Sequence, residues 1–126
     1  MGHPNEDLLR KGYDAFSRGD LNALPFADDI VFHIPGDSPL AGDYKGKPQV
    51  LGFLGQVMER SGGSFRLEVH DLAASNDHVI GLTNHRGRRN GKSAAYNSVH
   101  VWHIKDGKLA ELFEFPEQPA FDDFWA

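Results

Sequence analysis

Two histidines stand three residues apart around a tryptophan in SVHVWHI, Ser98 to Ile104. An imidazole can ligate a metal, act as general base or acid near neutral pH, or donate a hydrogen bond to a ligand oxygen, because its ordinary pKa is about 6.5. The segment reads as a strand, and successive strand side chains point to opposite faces. His100 and His103 are an odd number of residues apart, so they do not form a metal grip between them. One face carries Tyr96, Ser98, His100, Trp102 and Ile104; the other carries Ala95, Asn97, Val99, Val101 and His103. Each set mixes apolar and polar groups, so alternation leaves open which set meets the core. Cysteine is absent, which removes disulfides, thiolate nucleophiles and cysteine-ligated zinc. There is no G-x-S-x-G nucleophile motif, and SGGS lacks the lysine of a phosphate-cradling loop.

The elements that must hold these groups come from 126 residues, the usual length of one domain with a real hydrophobic core. Apolar residues are 40% of the chain and charged residues 25%, ordinary for a globular protein. Thirteen Lys and Arg against eighteen Asp and Glu give a formal charge of −5, so no broad phosphate-neutralising surface and no nucleic-acid partner are expected. The only basic cluster, HRGRRNGK from His85 to Lys92, reads as a solvated hairpin end. No basic-then-apolar N-terminal segment is present, and no apolar run reaches the ~18 residues of a membrane span. A cytoplasmic location without a membrane partner is the expectation.

Leu9, Tyr13 and Phe16 recur at helical spacing between Glu6 and Arg18, with Gly19 ending the helix. Asp20 is placed to cap a short second helix through Phe26, disturbed in its last turn by Pro25. IVFHI, Ile30 to Ile34, reads as a strand. The turn-rich PGDSPLAGDYKG leads to a third helix starting near Pro48, with Val50, Leu51, Leu54, Val57 and Met58 on its apolar side. SFRLEVHDLAA, DHVIGLTNHRG, KSAAYNSVHVWHIK and GKLAELFEFP alternate as antiparallel strands. Asn90-Gly91 and Asp106-Gly107 are hairpin signals that need positive φ at both central residues. The order α-α-β-α-β-β-β-β predicts a single α+β domain over residues 1–126, with helices against one face of a curved antiparallel sheet.

Four segments carry a resemblance over nearly the whole chain: AFSRGDLNAL, FADDIVFHIPG, SPLAGDYKGKPQVLGFL and WHIKDGKLAELFEF. In order and spacing they resemble the nuclear transport factor 2-like superfamily and, within it, the SnoaL-like, ketosteroid-isomerase-like proteins. The resemblance implies a cone-shaped α+β barrel whose sheet wraps around a deep, mostly apolar pocket closed by helices, often as a homodimer. It also implies that the even face of SVHVWHI looks inward, so that Tyr96, Ser98, His100 and Trp102 line the pocket while His103 lies outside.

Matched to ketosteroid isomerase, whose chemistry uses a carboxylate base with a tyrosine and a protonated aspartate as oxyanion donors, the base position falls on Ile34. The tyrosine position falls on Gly12, beside Tyr13, and the acid position falls on His100. Matched to hydrolases of the limonene-epoxide type, the arginine position falls on His85 and the two aspartates on Gly87 and Glu114. Neither set is complete. The resemblance nonetheless implies His85, His100 and Glu114 on the inward faces of three successive strands, as candidate catalytic residues. The alternation in LAELFEF allows the opposite, with Leu109, Phe113 and Phe115 buried and Glu114 in solvent.

The remaining candidates also have two readings. Tyr13 is either core or a pocket donor, and Phe32, Ile34 and Trp102 are either packing or ligand-contacting walls. His33 alternates against its neighbours and should face outward. Phe121, Phe124 and Trp125 anchor the C-terminal segment or make it a partial lid. The resulting expectation is a pocket for a small apolar organic molecule, with proton-transfer chemistry such as isomerisation, dehydration or cyclisation. No metal and no cofactor are expected. In that reading His100 accepts the proton or donates to an oxyanion, Glu114 orients it, and Tyr13 or Tyr96 donates to oxygen. The alternative is a ligand-binding or dimerisation module without catalysis.

Overall fold

The computed structural model describes residues 3–126. Helix α1, Pro4–Ser17, starts where the His3 ring accepts from the Asn5 N–H and where Pro4 needs no hydrogen-bond partner. Its buried side is Leu9, Gly12, Tyr13 and Ala15, and Gly19 at φ 73° turns the chain away. The predicted second helix is corrected to one 3-10 turn, Leu21–Ala23, without a side-chain cap from Asp20. Pro25 is the reason, because it holds Leu24 extended, at ψ 130°, and lets strand β1 begin at once over Phe26–Ile34.

Strand β2, Gly42–Lys45, lies in the segment read as turns, and pairs antiparallel with β1 at the sheet edge. It carries no apolar alternation because most of it faces solvent. Helix α2, Lys47–Arg60, buries Val50, Phe53 and Val57. Strands β3, Arg66–Ala74, β4, His78–Arg89, β5, Lys92–Lys105, and β6, Lys108–Pro116, follow, and α3, Gln118–Trp125, closes the order. The prolines of EFPEQPAF conceal α3 from a sequence reading. Pro119 falls in its first turn, where a missing N–H costs nothing.

The six strands form one sheet in the order β2-β1-β6-β5-β4-β3. All neighbours are antiparallel except β1 and β6, which run parallel, so the expected antiparallel sheet is mixed at that junction. Register shifts at Val69/Asp71, His103/Ile104 and Phe26/Val31 bend it into an open curve around the helices. Both predicted hairpins have positive φ at Asn90-Gly91 and Asp106-Gly107. The basic hairpin end is not merely solvated, since Arg89 donates to the Ala126 and Phe124 carbonyls and Lys92 pairs with Asp123. Those cations hold the C-terminal end of α3, where the helix dipole favours them. No helix among the described residues is long and apolar enough to cross a membrane.

The β5–β6 bulge settles the alternation in LAELFEF. His103 pairs with Glu111 but Ile104 pairs with Leu109, so one extra residue switches the parity of β6. Leu109, Leu112 and Glu114 therefore all point inward, while Phe113 and Phe115 point out.

Candidate functional site

On β5 the even residues Tyr96, Ser98, His100, Trp102 and Ile104 are all buried, and the inward face of β4 adds Thr83 and His85. His100 sits opposite Glu114 on β6 and opposite Gly81 on β4; His85 sits opposite Tyr96. This register gathers the three candidates on adjacent strands. His100 Nε2 lies 3.3 Å and His85 Nδ1 3.9 Å from Glu114 Oε2, and the two imidazole centroids are 5.3 Å apart.

Two parallel relays fix the rings. Trp102 Nε1–H donates to the Tyr13 hydroxyl at 2.9 Å, and that hydroxyl lies 2.8 Å from His100 Nδ1. Trp125 Nε1–H donates to the Tyr96 hydroxyl at 3.1 Å, and that hydroxyl lies 3.3 Å from His85 Nδ1. The indole N–H can only donate, so the imidazole nitrogen is the one acceptor among each tyrosine hydroxyl's contacts, and the O–H is directed to it as donor. Both Nδ1 atoms therefore accept, which places the ring hydrogens on Nε2. From there His100 donates to Glu114 Oε2, and His85 donates to Thr83 Oγ1 at 3.0 Å, which itself donates to the Ser98 carbonyl. Ser98 Oγ completes the set with a 2.9 Å bond to Glu114 Oε2.

The electrostatics follow the burial. Burial raises the pKa of both tyrosines, and the nearby Glu114 charge adds to it, so they remain O–H donors. Burial pushes the His85 imidazole down to about 4, against the attraction of Glu114. Burial pushes the Glu114 carboxyl up, but the hydrogen bond and charge of His100, the charge of His85 and the Ser98 bond outweigh it. The net effect holds the group below its ordinary value. Glu114 is only 7% exposed. Its Oε1 accepts no bond from the protein, although every fully buried side-chain polar atom among the described residues has a partner. Oε1 therefore retains accessible surface.

That surface belongs to a cavity of about 90 Å³ between the helices and the sheet. Tyr13, Phe32, His85, Tyr96, His100, Trp102 and Glu114 line it. Two sequence candidates do not: Ile34 is buried in the core beside Gly42 at the end of β1, and Ser98 stands behind Glu114. His33 is on the outer side of the sheet, bonded to Asp43 and Glu111. A side chain at Gly87, where the hydrolase-type aspartate would stand, would have to displace the buried Phe124 ring, because a Cβ there lies 3.0 Å from it.

Two participants, Thr83 and Gly81, escaped the sequence reading, and a third, Trp125, was read only as an anchor or part of a lid. Thr83 gives no signal beyond its parity with His85. Trp125 lies far along the chain, on the unforeseen α3. At Gly81 a Cβ would meet the Tyr13 hydroxyl at 2.9 Å, so the missing side chain is what admits that hydroxyl to His100.

One ligating atom from each of His85, His100 and Glu114 lies within 4.8 Å of the other two, a donor set of the kind that holds zinc. The hydrogen bonds use it differently. Metal ligation at His100 Nε2 would require moving its hydrogen to Nδ1 and turning the Tyr13 O–H away from its only acceptor.

The sequence profile of the SnoaL-like domain matches residues 9–112. The chain belongs to the SnoaL-like family. An uncharacterised relative, Rv0034 of Mycobacterium tuberculosis, is 32% identical over 124 residues, 95% of each chain. Among solved structures, Bal32a from a soil-derived mobile gene cassette is 31% identical, with TM-score 0.94 over 98% of this chain and 97% of its own. TerC, co-crystallised with polyporic acid, shares the fold at 23% identity and TM-score 0.86, over 97% of this chain and 98% of its own.

Proposed function

We propose that this SnoaL-like domain binds a small, largely apolar organic molecule in the sheet–helix cavity and moves a proton within it without a cofactor. Glu114 is the proton acceptor. The observation that carries this reading is its free Oε1, the one lining atom of the triad that is neither hydrogen-bonded nor committed to orienting a neighbour. His100 and Ser98 hold Oε2 and stabilise the anion, so the base is oriented before a ligand arrives. His100 thus serves Glu114, the reverse of the assignment drawn from sequence. Tyr13 and Tyr96 remain protonated and fix the two imidazoles. The aromatic and aliphatic walls supply binding by excluding water. The co-crystallised TerC makes an organic ligand a natural occupant of this fold.

A binding role without turnover is the second reading, favoured by the aliphatic Ile34 where the ketosteroid-isomerase pattern has its base. The outer face of the sheet exposes Ile80, Leu82, Phe113 and Phe115, which supports a homodimer through that face. A cytoplasmic location fits the same proposal.

The two readings separate by experiment. Small molecules that co-purify with the protein are extracted, identified by mass spectrometry, and returned to it in D2O. Deuterium appearing in the ligand with wild type and not with Glu114→Gln supports proton transfer. Unaltered ligand with both proteins supports binding alone.

A further inference from the structure

We infer that the cavity is built for a small organic cation, an alkylammonium or similar protonated nitrogen of about one ring in size. The inference rests on the ligand-binding reading above and names the ligand's chemistry. Glu114 Oε1 is an unpartnered oxygen on a buried side chain, and the cavity it faces has no Lys or Arg among its lining residues. All ring and hydroxyl hydrogens around the carboxylate are accounted for by the two relays, which leave one hydrogen on each imidazole. An ionised carboxylate in this setting lacks a full counter-charge, and a buried charge is costly unless paired. A ligand N–H placed on Oε1 would supply both the missing hydrogen bond and the missing charge.

The walls favour the same class. Phe32, Phe53, Phe65, Tyr96, Trp102 and Trp125 are among the lining residues. Aromatic walls around a carboxylate are the surroundings in which organic ammonium ions are bound, through the negative faces of the rings. Size is limited too. An apolar cavity of about 150 Å³ accommodates benzene, so the about 90 Å³ here suits a ligand portion no larger than one ring. Anionic ligands would meet the carboxylate and no cation.

The test uses three near-isosteric probes on the full-length protein: cyclopentylamine, cyclopentanol and methylcyclopentane, titrated at pH 7.5 by calorimetry and ligand-observed NMR. The amine should bind at least about tenfold tighter than the alcohol, with the hydrocarbon weakest. Glu114→Gln, neutral and nearly isosteric, should abolish that preference. Equal binding of amine and alcohol, or an amine preference that survives Glu114→Gln, overturns the cation assignment and leaves the pocket reading intact. Binding of none of the three overturns both. Should Glu114→Gln fail to fold by circular dichroism, the wild-type ratio of amine to alcohol affinity decides alone.

Discussion

The Tyr13 hydroxyl reaches His100 Nδ1 across 2.8 Å through the space left by the missing side chain of Gly81. An α1 residue and a β5 residue, 87 positions apart, are thereby joined inside the fold, and the bond depends on a third residue that does not line the cavity.

Gly81→Ala should break that bond. The added methyl would stand 2.9 Å from the Tyr13 oxygen and 3.3 Å from Leu72, so the hydroxyl must move. A loss of about 1–3 kcal/mol in urea unfolding is expected. The His100 ring should also change its tautomer balance, read from its ¹⁵N chemical shifts; unchanged shifts would detach Gly81 from the relay.

Trp125→Phe keeps an aromatic ring in α3 but removes the N–H that occupies the Tyr96 oxygen. The Tyr96 hydroxyl, no longer held by the indole, is then free to turn, which loosens its bond to His85 Nδ1. About 1 kcal/mol of stability should be lost, and the His85 ¹⁵N shifts should move while those of His100 stay. Trp102→Phe should do the converse through Tyr13.

Acid should destabilise the protein through His85 first. Its pKa is about 4 in the folded chain against the ordinary 6.5, so between those values the unfolded chain binds the proton and the folded chain does not. Stability therefore falls as pH falls through that window, by roughly 3 kcal/mol for this one group. Glu114, held below its ordinary value, adds a further loss at still lower pH. His33 acts in the opposite sense: burial lowers its pKa, but Glu111 and Asp43 outweigh that and raise it, so its contribution fades as pH rises. Urea unfolding of wild type and His85→Gln from pH 7.5 to 4 isolates the His85 effect, and the variant should show the flatter profile.

Phe115 is 58% exposed on the outer face of the sheet. If that face pairs two chains, Phe115→Asp should weaken self-association at least about tenfold, because it places a charge in an apolar contact. Sedimentation velocity over a concentration series measures it. A monomer in both wild type and variant would remove the homodimer.

The chain itself determined the division of β5 into two faces, the two positive-φ hairpins and the family, through period-2 alternation, Asn-Gly and Asp-Gly turns, and motif order. That the even face of β5 looks inward came from the family resemblance, because both faces mix apolar and polar side chains. The chain did not determine the polarity of β6, because one bulged residue reverses parity and its position depends on pairing with β5. Nor did it disclose β2, whose side chains face solvent, or α3, whose prolines resemble a break until one is seen to occupy the first turn. The roles within the triad were likewise beyond it. Whether His100 or Glu114 offers a free atom depends on which hydroxyls and indoles arrive from α1 and α3, and those contacts span tens of residues along the chain and a few ångströms in space.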